Sequence, residues 1–291
     1  MSKQYTMMTR GIRTGALMMA ATAAMAAGVA QAQDKGSVHL AYVEWSSEVA
    51  STNVIRAVLE EQGYEVDMTA LSAAAMWQAV ASGDADAMVA AWLPTTHQDY
   101  MDRVGDSVED LGPNLDGTKL GLVVPEYSEL QAIGDINDHA EELNNQIIGI
   151  DPGAGLMGLT EEVIEAYDLD IDLRSGSGAT MTAALSSAIN NEEEIVVTGW
   201  TPHWMFARWD LRYLDDPENV YGGAEQIHTV ARAGLKDDMP EAYAILDNFE
   251  WTPEQMGEVM LMNQEKNADP YETAKQWVAE NQDVVKEWLA K

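Results

Sequence analysis

The chain has 291 residues with 16 Lys and Arg against 49 Asp and Glu, a formal net charge of −33, and no Cys. This excludes a disulfide framework and a nucleic-acid partner, because phosphate contacts need Lys and Arg. The acids are scattered through expected helices and turns rather than gathered in a tail, so acidity is a property of the whole surface. Such self-repulsion is tolerated best where salt screens it, which points to an exported protein of a salt-loving bacterium.

The N-terminus reads as a signal peptide over residues 1–32. Lys3, Arg10 and Arg13 give a positive start, Ala16 to Ala30 is apolar and small, and Ala30-Gln31-Ala32 is a cleavage site. Without a Cys there is no lipid attachment point, so the expected location is the periplasm, with no lipid anchor. The remainder, residues 33–291, is long enough for two lobes.

Val38 to Val43 is a strand running into Glu44-Trp45-Ser46-Ser47, and a helix follows from about Glu48 to Gln62, ended by Gly63. Tyr64 to Ala70 is a second strand and Ala73 to Ala81 a second helix. Ala87 to Leu93 is a strand stopped by Pro94, after which Thr95 or Thr96 caps a helix with His97 in its first turn. Lys119 to Val124 is a strand broken by Pro125, where the chain is expected to cross into a second lobe. There Ile147 to Ile150 is a strand, Asp151-Pro152-Gly153-Ala154-Gly155 a loop, and Met157 to Tyr167 a helix. A strand at Leu169 to Asp172, a helix at Thr180 to Ile189, a strand ending at Trp200 and a short aromatic helix with Trp204, Phe206 and Trp209 come next. Ile227 to Ala231 is the return strand. Thr252-Pro253-Glu254-Gln255 and Asp269-Pro270-Tyr271-Glu272 each begin a helix with a capping residue before Pro. The division is therefore lobe 1 over 33–124 and 227–291, and lobe 2 over 125–226.

Two stretches are variations of one another. Ala87-Met88-Val89-Ala90-Ala91-Trp92-Leu93-Pro94 and Ile195-Val196-Val197-Thr198-Gly199-Trp200-Thr201-Pro202 are both strand-length apolar runs stopped by Trp-x-Pro. Both are preceded by the same order of elements, so a β-α-β-α-β unit occurs twice. Ligands of open α/β sheets bind at the carboxyl ends of strands. Trp45, Trp92 and Trp200 each lie at such an end, so three indoles face one cleft. The other six of the nine Trp, namely 77, 204, 209, 251, 277 and 288, sit at helical positions and read as structural.

Three indoles around a small space suit a quaternary ammonium. It has no N–H to donate, and aromatic faces attract it through their quadrupoles while burying its methyls. Gly153-Ala154-Gly155-Leu156 before a helix aims backbone N–H groups at an anion. The loop lacks the Lys-Ser/Thr of a nucleotide-binding loop. His97, five residues after Trp92, adds a ring donor for the same anion.

Over nearly all of 33–291 the sequence resembles the glycine betaine/proline betaine substrate-binding proteins of ABC importers. The likeness rests on Ala41-Tyr42-Val43-Glu44-Trp45, Ala90-Ala91-Trp92-Leu93-Pro94-Thr95-Thr96-His97, Gly149-Ile150-Asp151-Pro152-Gly153-Ala154-Gly155 and Val197-Thr198-Gly199-Trp200-Thr201-Pro202-His203-Trp204. The resemblance implies a two-lobed α/β periplasmic-binding-protein fold, type II-like, with the cleft between lobes joined by a two-segment hinge. It implies a cage of Trp45, Trp92 and Trp200 around trimethylammonium, with His97 and the backbone of Gly155 and Leu156 on the carboxylate. It also implies a monomer that delivers its ligand to membrane permease and ATPase subunits, with no cofactor, metal or catalytic residue. Choline and carnitine are the alternative ligands. A secreted glycoside hydrolase, with Glu44 and Asp151 as its carboxylate pair, is disfavoured. Glu44 precedes Trp45 and faces away from it, and Asp151 is expected to order its own turn.

Overall fold

The computed structural model describes residues 35–290. The expected signal peptide lies outside them. The first five regular elements are β1 (Ser37–Tyr42), α1 (Ser46–Glu61), β2 (Glu65–Ala70), α2 (Ala73–Ser82) and β3 (Ala87–Leu93). β1 pairs in parallel with both β2 and β3. The same plan recurs in β5 (Gln146–Ile148), α4 (Gly155–Ala166), β6 (Asp172–Arg174), α5 (Gly178–Asn191) and β7 (Val196–Thr201), where β5 pairs in parallel with β6 and β7. The duplicated unit expected from the sequence is therefore present, with the middle strand β1 or β5 flanked by the other two. The Leu93–Pro94 and Thr201–Pro202 bonds that follow the two Trp strands are both cis.

Two long strands connect the units. β4 (Val108–Pro125) pairs antiparallel with β9 (Glu225–Arg232) over Val108 to Thr118, then with β7 from Lys119 onward. β9 also pairs with β3, giving the order β2-β1-β3-β9-β4-β7-β5-β6, with the short β8 (Leu211–Tyr213) beside β4. The change of partner falls between Thr118 and Lys119. The sequence analysis assigned no element to 108–118, where Gly112, Pro113 and Gly117 interrupt the run. The strand absorbs them through register irregularities at Asp110/Gly112, Pro113/Leu115 and Asp116/Thr118.

β3 is buried along its whole length, as expected of a strand covered on both faces. The helices α8 (Pro240–Asn248), α9 (Pro253–Met262), α10 (Pro270–Glu280) and α11 (Gln282–Leu289) follow β9, and α9 and α10 pack on α1. Their core is aromatic. Trp277 stacks on Trp288 and meets Trp251 edge-on, while Phe249 meets Trp288 edge-on. Thr252 and Gln255 close a reciprocal capping box at α9. Asp269 caps α10 alone, because Glu272 turns to Lys275 instead.

Among the described residues, the only acids that are buried are Glu48 and Glu225. The others are at least partly exposed, and several of their ion pairs are short-range surface contacts of little net value. Repulsion among 49 acids is then relieved mainly by salt, whose screening length falls from roughly 10 Å at 0.1 M to about 3 Å at 1 M. The melting temperature is expected to rise between low-salt buffer and molar NaCl. A thermal scan series that stayed flat would contradict this.

Candidate functional site

The three strand-end indoles meet. Trp45 stands three residues past the end of β1 at the N-cap position of α1, Trp92 is the penultimate residue of β3, and Trp200 the penultimate residue of β7. They line one small cavity together with Ser47, Thr96, His97, Leu120, Ile150, Ala154, Gly155 and Leu156. All six residues singled out by the sequence are in this lining. Trp45, Trp92 and Trp200 come from both parallel units, so neither unit forms the cavity alone. Each is nearly covered, at 7%, 5% and 4% exposure.

Another wall of the cavity is built by the start of α4 and by the turn after β3. α4 begins at Gly155, two residues before the expected start, so the N–H groups of Gly155 and Leu156 are the first two of the helix and have no intrahelical acceptor. The helix dipole adds partial positive charge there. Gly155 is required by a close approach: a Cβ on it would sit 2.1 Å from the backbone oxygen of Thr96.

His97 is placed differently from the sequence expectation. It occupies the N-cap position of α3 (Gln98–Val104) rather than its first turn, and neither Thr95 nor Thr96 caps that helix. The cause is Glu225, whose carboxylate accepts the N–H groups of Thr95 and Thr96 at 2.6 and 2.8 Å and the hydroxyl of Thr96. His97 Nδ1 accepts the N–H of Trp92 at 3.1 Å, so the neutral ring carries its proton on Nε2 and has one donor to offer. Burial holds the ring neutral, lowering its pKa to about 4. Trp77 and Tyr100 support it edge-on, at 6.0 and 5.9 Å between ring centroids.

Asp151 does more than order its turn. Its carboxylate accepts the indole N–H of Trp45 at 3.0 Å, joining the end of β1 to the loop after β5. That bond fixes the plane of the ring. It also places negative charge at the ring's positive edge, which makes the π faces more attractive to a cation. Tyr100 makes a second bond across the cleft, from its hydroxyl to the carbonyl of Gly153 at 2.7 Å. Glu44 is exposed and lines a separate groove beside the cavity, so Glu44 and Asp151 do not form a pair in one site. That groove also contains Trp204 and Trp209, which flank the short α6 (Met205–Arg208) and are therefore not wholly helical core residues. Among the described residues, no group of three or more His, Asp or Glu could hold a metal ion, and no helix is long and apolar enough to cross a membrane.

Sequence reasoning missed Thr96, Ser47, Leu120 and Glu225. Thr96 had a signal, its position beside His97. Glu225 had none, because it approaches from a strand far along the chain.

A sheet of two parallel units joined by two long strands, with an indole-lined cavity where the units meet, defines a two-lobed binding protein of the periplasmic class. Residues 36–280 match the substrate-binding domain of ABC-type glycine betaine transport systems, and the chain belongs to that family. It is 53% identical over 154 residues to a glycine betaine/carnitine transport binding protein of Listeria monocytogenes, a match covering 52% of this chain and 51% of that relative. The match thus spans only about half of the relative's length. Among solved structures, lactococcal OpuAC in a closed, glycine betaine-liganded conformation is 46% identical with a TM-score of 0.83, covering 87% of this chain and 99% of that one. A glycine betaine, L-proline-binding protein from Borrelia burgdorferi is 36% identical with a TM-score of 0.85, covering 88% and 97% respectively.

Proposed function

We propose that the chain captures glycine betaine, or a betaine of similar size, in the cavity between its two sheet halves. It then presents the ligand to the permease and ATPase subunits of an importer from the outer side of the membrane. Trp45, Trp92 and Trp200 hold the trimethylammonium group. The N–H groups of Gly155 and Leu156, with His97 Nε2–H, take the carboxylate. One observation carries this reading: three indoles from both halves and the N-terminus of α4 line the same small cavity. No Asp or Glu lines it, so the cation is met by ring faces and the anion by neutral donors. A desolvated cation–π contact contributes about 2 kcal/mol or more.

Because each end of the ligand touches residues of both halves, binding favours the closed arrangement and shifts the hinge toward it. The lobes of this reading meet at the joint in β4 near Thr118.

Choline fills the cage but offers nothing to Gly155, Leu156 or His97, and each unanswered buried donor costs about 1–3 kcal/mol. Calorimetric titration of the wild type is expected to show glycine betaine binding much more tightly than choline. His97→Ala is expected to narrow that gap by weakening glycine betaine alone. Equal weakening of both ligands would make His97 a purely structural residue, and choline binding as tightly as glycine betaine would overturn the betaine assignment.

A further inference from the structure

We propose that Glu225 is a positioning residue of the ligand site. From the joint between the sheet halves, it holds the turn 94–97 in the one shape that lets His97 and the start of α4 meet a single carboxylate. The proposal rests on the betaine reading above and adds a residue that touches no ligand.

Glu225 is the first residue of β9 and is 4% exposed. A buried carboxylate is unfavourable unless its lone pairs are answered. Here the answering donors are Thr95 N–H, Thr96 N–H and the Thr96 hydroxyl, all on one turn 129 or 130 residues away in the chain. No cation is needed, because backbone donors fill the same role. Its strand partner across β4 is Thr118, the last residue of β4 to pair with β9 before that strand leaves for β7. Glu225 therefore ties the turn after β3 to the point where the chain crosses between halves.

The turn itself is fixed from both sides. Within it, His97 N–H donates to the Trp92 carbonyl and His97 Nδ1 accepts from Trp92 N–H. On the outside, Glu225 holds Thr95 and Thr96. The Thr96 carbonyl then lies directly against Gly155, so the position of this one peptide decides how closely the start of α4 can approach His97. The cage is less dependent on the clamp. Trp92 is held in β3 by pairing with Ile227, Trp200 belongs to β7, and Trp45 is tied to Asp151. Loss of Glu225 should loosen the carboxylate end and spare the cation end.

The discriminating experiment titrates Glu225→Ala and Glu225→Gln with glycine betaine and with choline. Glu225→Ala is expected to weaken glycine betaine by about tenfold or more, in line with two or three lost contacts to the turn, while choline changes by less than about threefold. Glu225→Gln keeps an oxygen that accepts both N–H groups, and should recover most of the affinity for glycine betaine. Should Glu225→Ala fail to fold, Thr96→Val removes the hydroxyl contact at nearly constant shape and should shift the ratio of the two affinities in the same direction. An unchanged ratio in these variants, with glycine betaine still binding the wild type, would overturn the role of Glu225 alone. A wild type that binds no betaine would overturn the functional reading and this inference with it.

Discussion

Replacing Trp92 by Ala is expected to weaken glycine betaine binding by roughly 30-fold, the equivalent of one desolvated cation–π contact of about 2 kcal/mol. The indole is 5% exposed and sits on a strand paired to Ile227, so its loss removes a wall of the cavity without unpairing the sheet. Trp45→Ala and Trp200→Ala should act in the same direction. Trp45→Ala also leaves the Asp151 carboxylate without its indole partner, beside the place the cation would occupy. The contrast is Trp277→Ala. That ring is 1% exposed, packs on Trp251 and Trp288 and donates to Glu258, far from the cavity lining. Its truncation should lower stability by about 3–5 kcal/mol and leave affinity unchanged where the variant remains folded. Titration and thermal unfolding of both variants separate the two roles, and wild-type affinity in Trp92→Ala would remove the cage from this account.

Gly155→Ala is expected to be at least as damaging, for a different reason. The added Cβ would meet the Thr96 backbone oxygen at 2.1 Å and its Cγ2 at 2.6 Å. A backbone oxygen on a turn clamped by Glu225 cannot step aside as a flexible side chain does. The contact must open, and with it the approach of two N–H donors to the carboxylate. Overpacking and lost donors together come to about 3 kcal/mol, or roughly a hundredfold in affinity. Ligand-induced compaction in small-angle scattering should vanish as well. Gly158→Ala is the control in the same helix: nothing lies within 4 Å of its added Cβ. It should leave binding intact and stabilise α4 by about 0.5–1 kcal/mol. If Gly155→Ala closed and bound like the wild type, the cleft would not close through this contact.

The duplicated β-α-β-α-β unit was legible because its strands are short apolar runs and its helices carry small and apolar residues at helical spacing. The cage was legible for a related reason: each indole stands where an apolar run stops, so the strand end that positions it is local. The first half of β4 was not legible. Gly112, Pro113 and Gly117 carry every mark of a turn, and only the pairing with β9 turns them into irregularities of one long strand. Asp172–Arg174 forms β6 where the sequence put a strand at 169–172, because pairing with Gln146–Ile148 sets the register. Least legible were the bonds that close the site. Trp45 to Asp151 spans 106 residues, Tyr100 to Gly153 spans 53 and Thr95 to Glu225 spans 130. No local pattern encodes such pairs, since only the tertiary fold brings their partners together.

The central claim is that ring faces hold the positive charge of the ligand and do more than enclose its methyl groups. Calorimetry of the wild type with glycine betaine and with 3,3-dimethylbutanoate tests it most directly. The two share shape and carboxylate and differ in the charge of the central atom. The account predicts that the carbon analogue binds weaker by about tenfold or more, because the quadrupole attraction of Trp45, Trp92 and Trp200 is lost. Equal or tighter binding of 3,3-dimethylbutanoate would contradict it.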